Sequence, residues 1–160
     1  MAVDIILNIE GVTGESKIQG FEGKIDILSW NWGLTNSGDM HMGTGGGSGK
    51  VDVHDISLSK YIDKATPALI RACCNGSHFN KADLVVRKAG GNAVEYLKIE
   101  LEKVLVSNIN SGGGGGDDRI MEDLSLNFAQ YKLTYTPQED DGTAGSPIEL
   151  GWNIEGNCEV

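Results

Sequence analysis

A glycine-rich run that ends in Gly-Lys is the first stretch of this 160-residue chain whose residue types could do chemistry. Residues 38–50 read GDMHMGTGGGSGK, whereas a phosphate-binding P-loop needs a glycine, four residues and Gly-Lys-Ser/Thr between a strand and a helix. Here Thr44 replaces the first glycine and Val51 replaces the hydroxyl residue. The alternating residues after Lys50 predict a strand, so no helix start is expected there to hold phosphate. Gly43 and Gly45 followed by Ser48 also miss the dinucleotide fingerprint, and the run is interpreted as a flexible arm.

Metal ligands are the next possibility, because the chain has three histidines and three cysteines. His41 lies between Met40 and Met42, and thioether and imidazole groups suit copper, but a single tripeptide in a loop is a weak signal. Cys74 and His78 have no second pair to complete a zinc site. The sequence therefore predicts no metal and no other cofactor.

Carboxylates and hydroxyls complete the search for catalytic groups. Asp117 and Asp118, and the run Glu139–Asp141, lie in turn-rich stretches without the spacing of a calcium loop, and such runs are usually solvated surface. Serine is frequent, but no Gly-x-Ser-x-Gly elbow occurs. We expect a protein that is not an enzyme.

Charge and composition narrow the remaining classes. The net charge is −10, which disfavours nucleic-acid binding and attachment to an anionic membrane, because both need clustered Lys and Arg. No apolar run reaches the length of a membrane span, and the N-terminus lacks the pattern of a signal peptide. The odd set of cysteines (Cys73, Cys74 and Cys158) favours reduced thiols. These features predict a protein made and folded in the cytoplasm.

Alternation with a period of two residues dominates the chain and predicts strands. Val3–Ile9 alternates simply, as do Ile99, Leu101 and Leu105 within residues 94–106. The runs 24–35, 51–59 and 120–135 each change their apolar face partway, which is typical of bulged strands that bend between packed sheets. In the last strand, the apolar positions include Ile148, Leu150, Trp152 and Ile154.

One helix and two long loops interrupt the strands. Thr66 as N-cap, Pro67 and Gly76 delimit a helix at about 66–75, with Leu69, Ile70, Cys73 and Cys74 facing the core. The loops are residues 36–50 and 111–118. We predict one mostly β domain over residues 1–160, either a β-barrel or two packed antiparallel sheets, with one short flanking helix and a long extended loop at 36–50.

Several stretches of the sequence, in order along the whole chain, resemble the haemolysin-coregulated protein family, Hcp. The most specific are IDILSWNWG at 25–33, KYIDKATP at 60–67, VEYLKIELEKVLVS at 94–107 and LSLNFAQYKLTYTPQ at 124–138. The resemblance implies the inner-tube subunit of the bacterial type VI secretion system. It further implies homohexameric rings that stack into a tube, ejection through the apparatus without a signal peptide, and small effectors carried in the lumen. Expected partners are other copies, the spike protein, sheath and baseplate proteins, and small effectors.

The resemblance also assigns roles to individual positions. Asn31 belongs to a lumen-facing strand and is the candidate for effector contact. Contacts between subunits or rings are expected from the arm, specifically from Met40, His41, Met42, Gly45, Gly46, Gly47 and Lys50. Packing in the core or at the subunit seam is expected for Trp30, Trp32 and Trp152.

Two other classes of function remain open from the residues alone. An enzyme would need titratable residues that converge on a pocket. A β-sandwich that binds carbohydrate or peptide would use exposed tryptophans and acidic loops, with calcium as a possible ligand of those loops.

Overall fold

The computed structural model describes residues 2–38, 40–41, 49–89 and 93–160. Within these ranges the chain forms short and long antiparallel strands and one helix. They are β1 (Val3–Ile9), β2 (Ile25–Asp26), β3 (Ser29–Asn31), β4 (Leu34–Asn36), β5 (Val51–Val53), β6 (Ile56–Tyr61), α1 (Thr66–Asn75), β7 (His78–Lys88), β8 (Glu95–Gly112), β9 (Met121–Asn127), β10 (Gln130–Tyr135), β11 (Ile148–Asn153) and β12 (Cys158–Glu159).

The long strand β8 is shared by two layers of sheet. Its first half pairs with β7 and β10 in a larger layer ordered β12-β11-β10-β8-β7-β1-β2. Its second half pairs with β9 in a smaller layer that continues through β6 to β3. The two layers pack on each other without closing into a barrel. The mostly β prediction is therefore confirmed, in the form of two packed sheets.

The core lies between the layers and is built from the inward residues of both. Leu7, Ile99 and Leu101 come from the larger layer, while Leu58 and Leu124 come from the smaller layer, and all five are buried. Apolar burial of about 25 cal/mol per Å² is the dominant favourable term in such a core. The alternation in the sequence thus marks the inward face of each layer.

The expected changes of apolar face coincide with breaks between strands. Ile25 and Ile27 are buried at the start of the first such run, and Trp30 and Trp32 pack against the same core after the break. Leu28, between them, is exposed. The runs 51–59 and 120–135 likewise divide, into β5 and β6 and into β9 and β10. The breaks between β2 and β3 and between β9 and β10 take the chain from one layer to the other, whereas the break after β5 leads from the separate β4–β5 hairpin into the smaller layer.

The prediction that Leu105 shares the buried face of Ile99 and Leu101 is wrong. Val104 and Val106 are buried instead, and Leu105 is only half-buried. The cause is Lys103, whose φ of 54° places it in the left-handed region. One residue in that conformation shifts the alternation of β8 by one position.

The helix occupies the predicted residues, but its N-cap and the set of side chains that face the core differ from the prediction. Ala65 is the N-cap and no side chain caps the helix, whereas Gly76 ends it with a φ of 70° and an N–H bond to the carbonyl of Ala72. The Thr66 hydroxyl is instead used in a buried polar cluster described below. Leu69 and Ala72 face the core. Two further predictions were wrong, because Ile70 and Cys74 are exposed.

A hairpin follows β7, since β7 and β8 pair antiparallel from His78 and Leu105 to Arg87 and Glu95. Residues 90–92 of its turn lie outside the described ranges. Among the described residues, no helix has the length and apolar character needed to cross a bilayer.

Candidate functional site

The outward side of the smaller layer carries two rows of small polar side chains. In one row, Asn31 lies opposite Ser57, Ser57 opposite Ser125, and Ser125 opposite Asn108. The next row has the same register and consists of Ser29, Ser59, Asp123 and Asn110. We call these eight residues the serine–asparagine face. All are exposed or half-buried, and they border an open depression of about 480 Å³.

The serine–asparagine face holds one ionisable group, Asp123. Its Oδ1 accepts a 2.7 Å hydrogen bond from the Ser59 hydroxyl. At the border of the face, both oxygens of Asp55 are also engaged, by the Ser107 hydroxyl at 2.5 Å and the Asn127 amide at 2.8 Å. The face therefore presents mainly hydroxyl and amide groups, although 22% of the residues in the whole chain are charged.

Sequence reasoning identified only Asn31 on this surface. The signal for its neighbours was present, because Ser57 and Ser59 are two residues apart, as are Asn108 and Asn110. Residues two apart on a strand share a face. The pairing that brings four such strands together could not be read from spacing.

The three tryptophans are half-buried against the core. The Trp32 ring meets that of Tyr131 edge-on, with centroids 4.9 Å apart, and its Nε1–H donates to the carbonyl of His54 at 2.9 Å. Trp32 thereby connects the core to His54, the residue that directly follows β5. Trp152 lies opposite Tyr131 in the neighbouring strand of the larger layer.

The arm begins as a short hairpin, with Leu34–Asn36 paired to Val51–Val53. Met40, His41 and Lys50 are exposed, and the Met40 side chain is 84% exposed. A Cβ at Gly49 would lie within van der Waals overlap of the Ser37 carbonyl, so glycine is required at that close approach. The other predicted arm contacts, Met42, Gly45, Gly46 and Gly47, lie outside the described residues.

Residues of the KYIDKATP stretch form a buried ionic cluster with Glu122. Lys60 and Glu122 are both 0% exposed, and the Lys60 ammonium is 2.6 Å from Glu122 Oε2 and 2.9 Å from Asp63 Oδ1. The Thr66 hydroxyl donates to the same Glu122 oxygen at 3.0 Å. The cluster joins β6, β9 and the first turn of α1, and it explains why Thr66 does not cap the helix.

The outward side of the larger layer is charged, in contrast to the serine–asparagine face. The carboxylates Asp4 and Glu149 lie 3.4 Å and 3.3 Å from Arg87 and Lys132, respectively. Burial raises the pKa of Asp83, partly opposed by Lys98. Among the described residues, no three His, Cys, Asp or Glu side chains converge as metal ligands would.

Comparisons with known proteins agree with this architecture. A family model described as "Type VI secretion system effector, Hcp" matches residues 6–135. Protein hcp1 of Pseudomonas aeruginosa is 53% identical over 162 residues, which cover 100% of both chains. The chain belongs to the Hcp family.

Solved structures similar to this Hcp chain support the same conclusion. A structure described as a type six secretion system protein has a TM-score of 0.93 at 28% identity, covering 99% of this chain and 100% of that one. Hcp1 from Salmonella typhimurium has a TM-score of 0.82 at 33% identity, with 100% of both chains covered. The Hcp chain is thus a type VI secretion tube subunit that self-associates and is secreted through that system. Hcp is not an enzyme family, which confirms that prediction.

Proposed function

We propose that this chain is a single domain that forms hexameric rings, that the rings stack into the secretion tube, and that the serine–asparagine face contacts small effectors in the lumen. The tube would be assembled in the cytoplasm, inside the sheath and against the baseplate and spike proteins. It would then be delivered to the extracellular space or a target cell. The observation that carries the effector contact is the two-row register around Asn31.

The chemistry of the serine–asparagine face suits cargo that must be held and then released. A strongly charged lining would attract or repel proteins according to their charge, over a Debye length of about 8 Å. Hydroxyl and amide groups act only at contact, and each hydrogen bond contributes about 0.5–1.5 kcal/mol net. A few such contacts retain a small protein reversibly.

The position of Asn31 makes it a sensitive test of this proposal. Asn31 is exposed at the edge of the smaller layer, and Ser57 is its neighbour across the strand pair. Asn31→Gln keeps the amide but extends it by one methylene into the space that cargo would occupy. We expect the variant to form normal rings and to protect a co-expressed effector less well.

The experiment measures the steady-state level and the co-purification of that effector. Asn80→Gln is the matched control, because Asn80 is an exposed asparagine on β7 in the larger layer. Unchanged effector levels with Asn31→Gln, or equal losses with both variants, would remove the role of Asn31. Monomers in electron micrographs of the wild-type protein would instead contradict ring assembly.

A further inference from the structure

The serine–asparagine face is followed by a third row of side chains with a different chemistry. Tyr61 lies opposite Met121, and Met121 lies opposite Gly112. Because residues two apart on a strand share a side, Tyr61 lies beside Ser59 and Met121 beside Asp123 on the outward side of the smaller layer. The third row therefore places an aromatic ring and a thioether next to the hydroxyl and amide groups.

A cation lies over the third row. The central carbon of the Arg119 guanidinium is 3.8 Å from the centroid of the Tyr61 ring, which is the geometry of a cation–π contact. This contact fixes the guanidinium beside the aromatic ring, two residues before Met121 in the chain. We call Tyr61, Gly112, Arg119 and Met121 the arginine corner.

The arginine corner is accessible from outside the chain. Met121 is 40% exposed, Arg119 is exposed and Tyr61 is half-buried. A Cβ built on Gly112 would meet no atom within 4 Å, so free space lies beside the Met121 side chain. A flexible thioether next to free space can adapt to apolar groups of different shapes.

The charge of Arg119 is not neutralised by a contact within the described part of the chain, where no carboxylate forms a salt bridge with it. The nearby Asp117 instead accepts the backbone N–H of Gly114 at 2.8 Å. On the serine–asparagine face, Asp123 is already engaged by the Ser59 hydroxyl. The planar guanidinium can therefore receive a carboxylate from another molecule, which its geometry suits.

The opposite end of the serine–asparagine face carries the opposite charge. Asp55 directly precedes β6, and its oxygens accept hydrogen bonds from Ser107 and Asn127. Asp55 and Tyr61 are about 20 Å apart along the strand at 3.3 Å per residue. This separation exceeds the Debye length of about 8 Å at physiological salt. A ligand therefore meets a negative group at one end of the face and a positive group at the other.

We propose that the arginine corner binds an acidic segment of the effector that also carries an apolar side chain. A carboxylate of the effector pairs with the Arg119 guanidinium, and the neighbouring apolar side chain packs on Tyr61 and Met121 in the space above Gly112. This inference rests on the proposed effector contact and names the cargo chemistry that the face selects. Because Asp55 repels the same acidic segment, the effector is held in one orientation along the strands.

An acidic protein segment fits the arginine corner better than a nucleic acid, although both are anionic. Binding of a nucleic acid depends on several Lys and Arg side chains that contact successive phosphates. The eight residues of the serine–asparagine face include neither type, and the chain has a net charge of −10. A single guanidinium next to an apolar surface instead suits one carboxylate with an apolar neighbour.

Fluorescence anisotropy of labelled peptides with assembled wild-type rings tests this selectivity. The peptides differ only in a central segment, which reads Glu-Leu-Phe-Glu, Lys-Leu-Phe-Lys or Glu-Ser-Ser-Glu. We expect the first to bind more tightly than the other two, because it alone combines carboxylates with apolar side chains. Arg119→Gln should weaken its binding about tenfold by removing a charge-assisted contact. Met121→Ser should weaken it as well, by removing the apolar contact.

Arg71→Gln is the matched control, since Arg71 is an exposed arginine on α1, outside the serine–asparagine face. It removes the same charge and should bind the acidic peptide like the wild type. Equal binding of the acidic and basic peptides, or equal losses with Arg119→Gln and Arg71→Gln, would overturn the inference. So would binding of a labelled oligothymidine in place of the peptide, or loss of rings in Arg119→Gln, which would assign the corner to assembly.

The result is separable from the test of the proposed function. Rings that lose effector protection with Asn31→Gln but do not distinguish the peptides would contradict only the arginine corner. Rings that select the acidic peptide while Asn31→Gln leaves effector levels unchanged would retain the corner and remove the role of Asn31.

Discussion

Removing the buried ammonium of Lys60 should strongly destabilise the fold. Lys60→Met keeps most of the side-chain volume but removes the partner that lies 2.6 Å from Glu122. The Glu122 carboxylate is 0% exposed, and the 3.0 Å bond from the Thr66 hydroxyl would then be its remaining contact. Breaking one side of such a buried pair typically costs about 3–5 kcal/mol. Since domains are stable by about 5–15 kcal/mol, we expect a large drop in the urea midpoint.

The double variant Lys60→Met/Glu122→Leu distinguishes two contributions to the free energy of unfolding. One is the net contribution of the ion pair, and the other is the penalty for leaving one buried charge without its partner. It removes both buried charges, and replacing a buried pair by apolar groups is often nearly neutral. We therefore expect the double variant to be more stable than Lys60→Met alone.

The control is Lys132→Met, which removes an ion pair whose partners are 48% and 53% exposed. Pairs of this kind contribute about 0–1 kcal/mol. All variants are compared by equilibrium urea unfolding at one protein concentration, because assembly stabilises the folded state by mass action. A loss below about 1 kcal/mol for Lys60→Met, or a double variant less stable than that single one, would refute the reasoning.

Two further predictions concern single residues in the larger layer and in β8. Because burial raises the pKa of Asp83 in the folded protein, its ionised form disfavours folding, and this penalty is relieved as pH falls through the raised pKa. Asp83→Asn should therefore be more stable than the wild type at pH 7 and lose that advantage on acidification. The measurement is urea unfolding of both proteins across pH, and a stability difference that does not change with pH would argue against this. Lys103→Gly should stabilise the protein by about 1 kcal/mol by relieving its left-handed backbone, whereas Glu102→Gly should destabilise it. Thermal melts that show the same sign for both glycine variants would rule out the strain.

The layers and the helix could be predicted because alternation and helix signals report which side of each element is buried. Even the changes of apolar face, as between Ile27 and Trp30, were visible in the sequence, since the residues on both sides of the break pack on one core. Leu105 could not be placed correctly, because nothing about a lysine indicates that Lys103 adopts a left-handed conformation.

The candidate surfaces were less accessible to sequence reasoning. Asn31 came from family resemblance, and its neighbours on the serine–asparagine face depend on long-range pairing. The buried state of Lys60 and Glu122 contradicts the usual exposure of charged residues, and only the geometry of their pairing explains it. Ile148 and Leu150 have the spacing of buried residues, yet the single chain leaves them exposed.

The sharing of β8 between the two layers has a mechanical consequence. In a sandwich of separate sheets, side-chain packing alone resists sliding of one sheet over the other. Here the backbone of β8 passes directly from one layer into the other, because its pairing with β10 ends at Glu102 and its pairing with β9 begins at Leu105. A force on the serine–asparagine face, which we propose lines the lumen, would therefore be transmitted through the covalent backbone of β8 to the larger layer. The layers cannot shear apart without breaking the hydrogen bonds of β8.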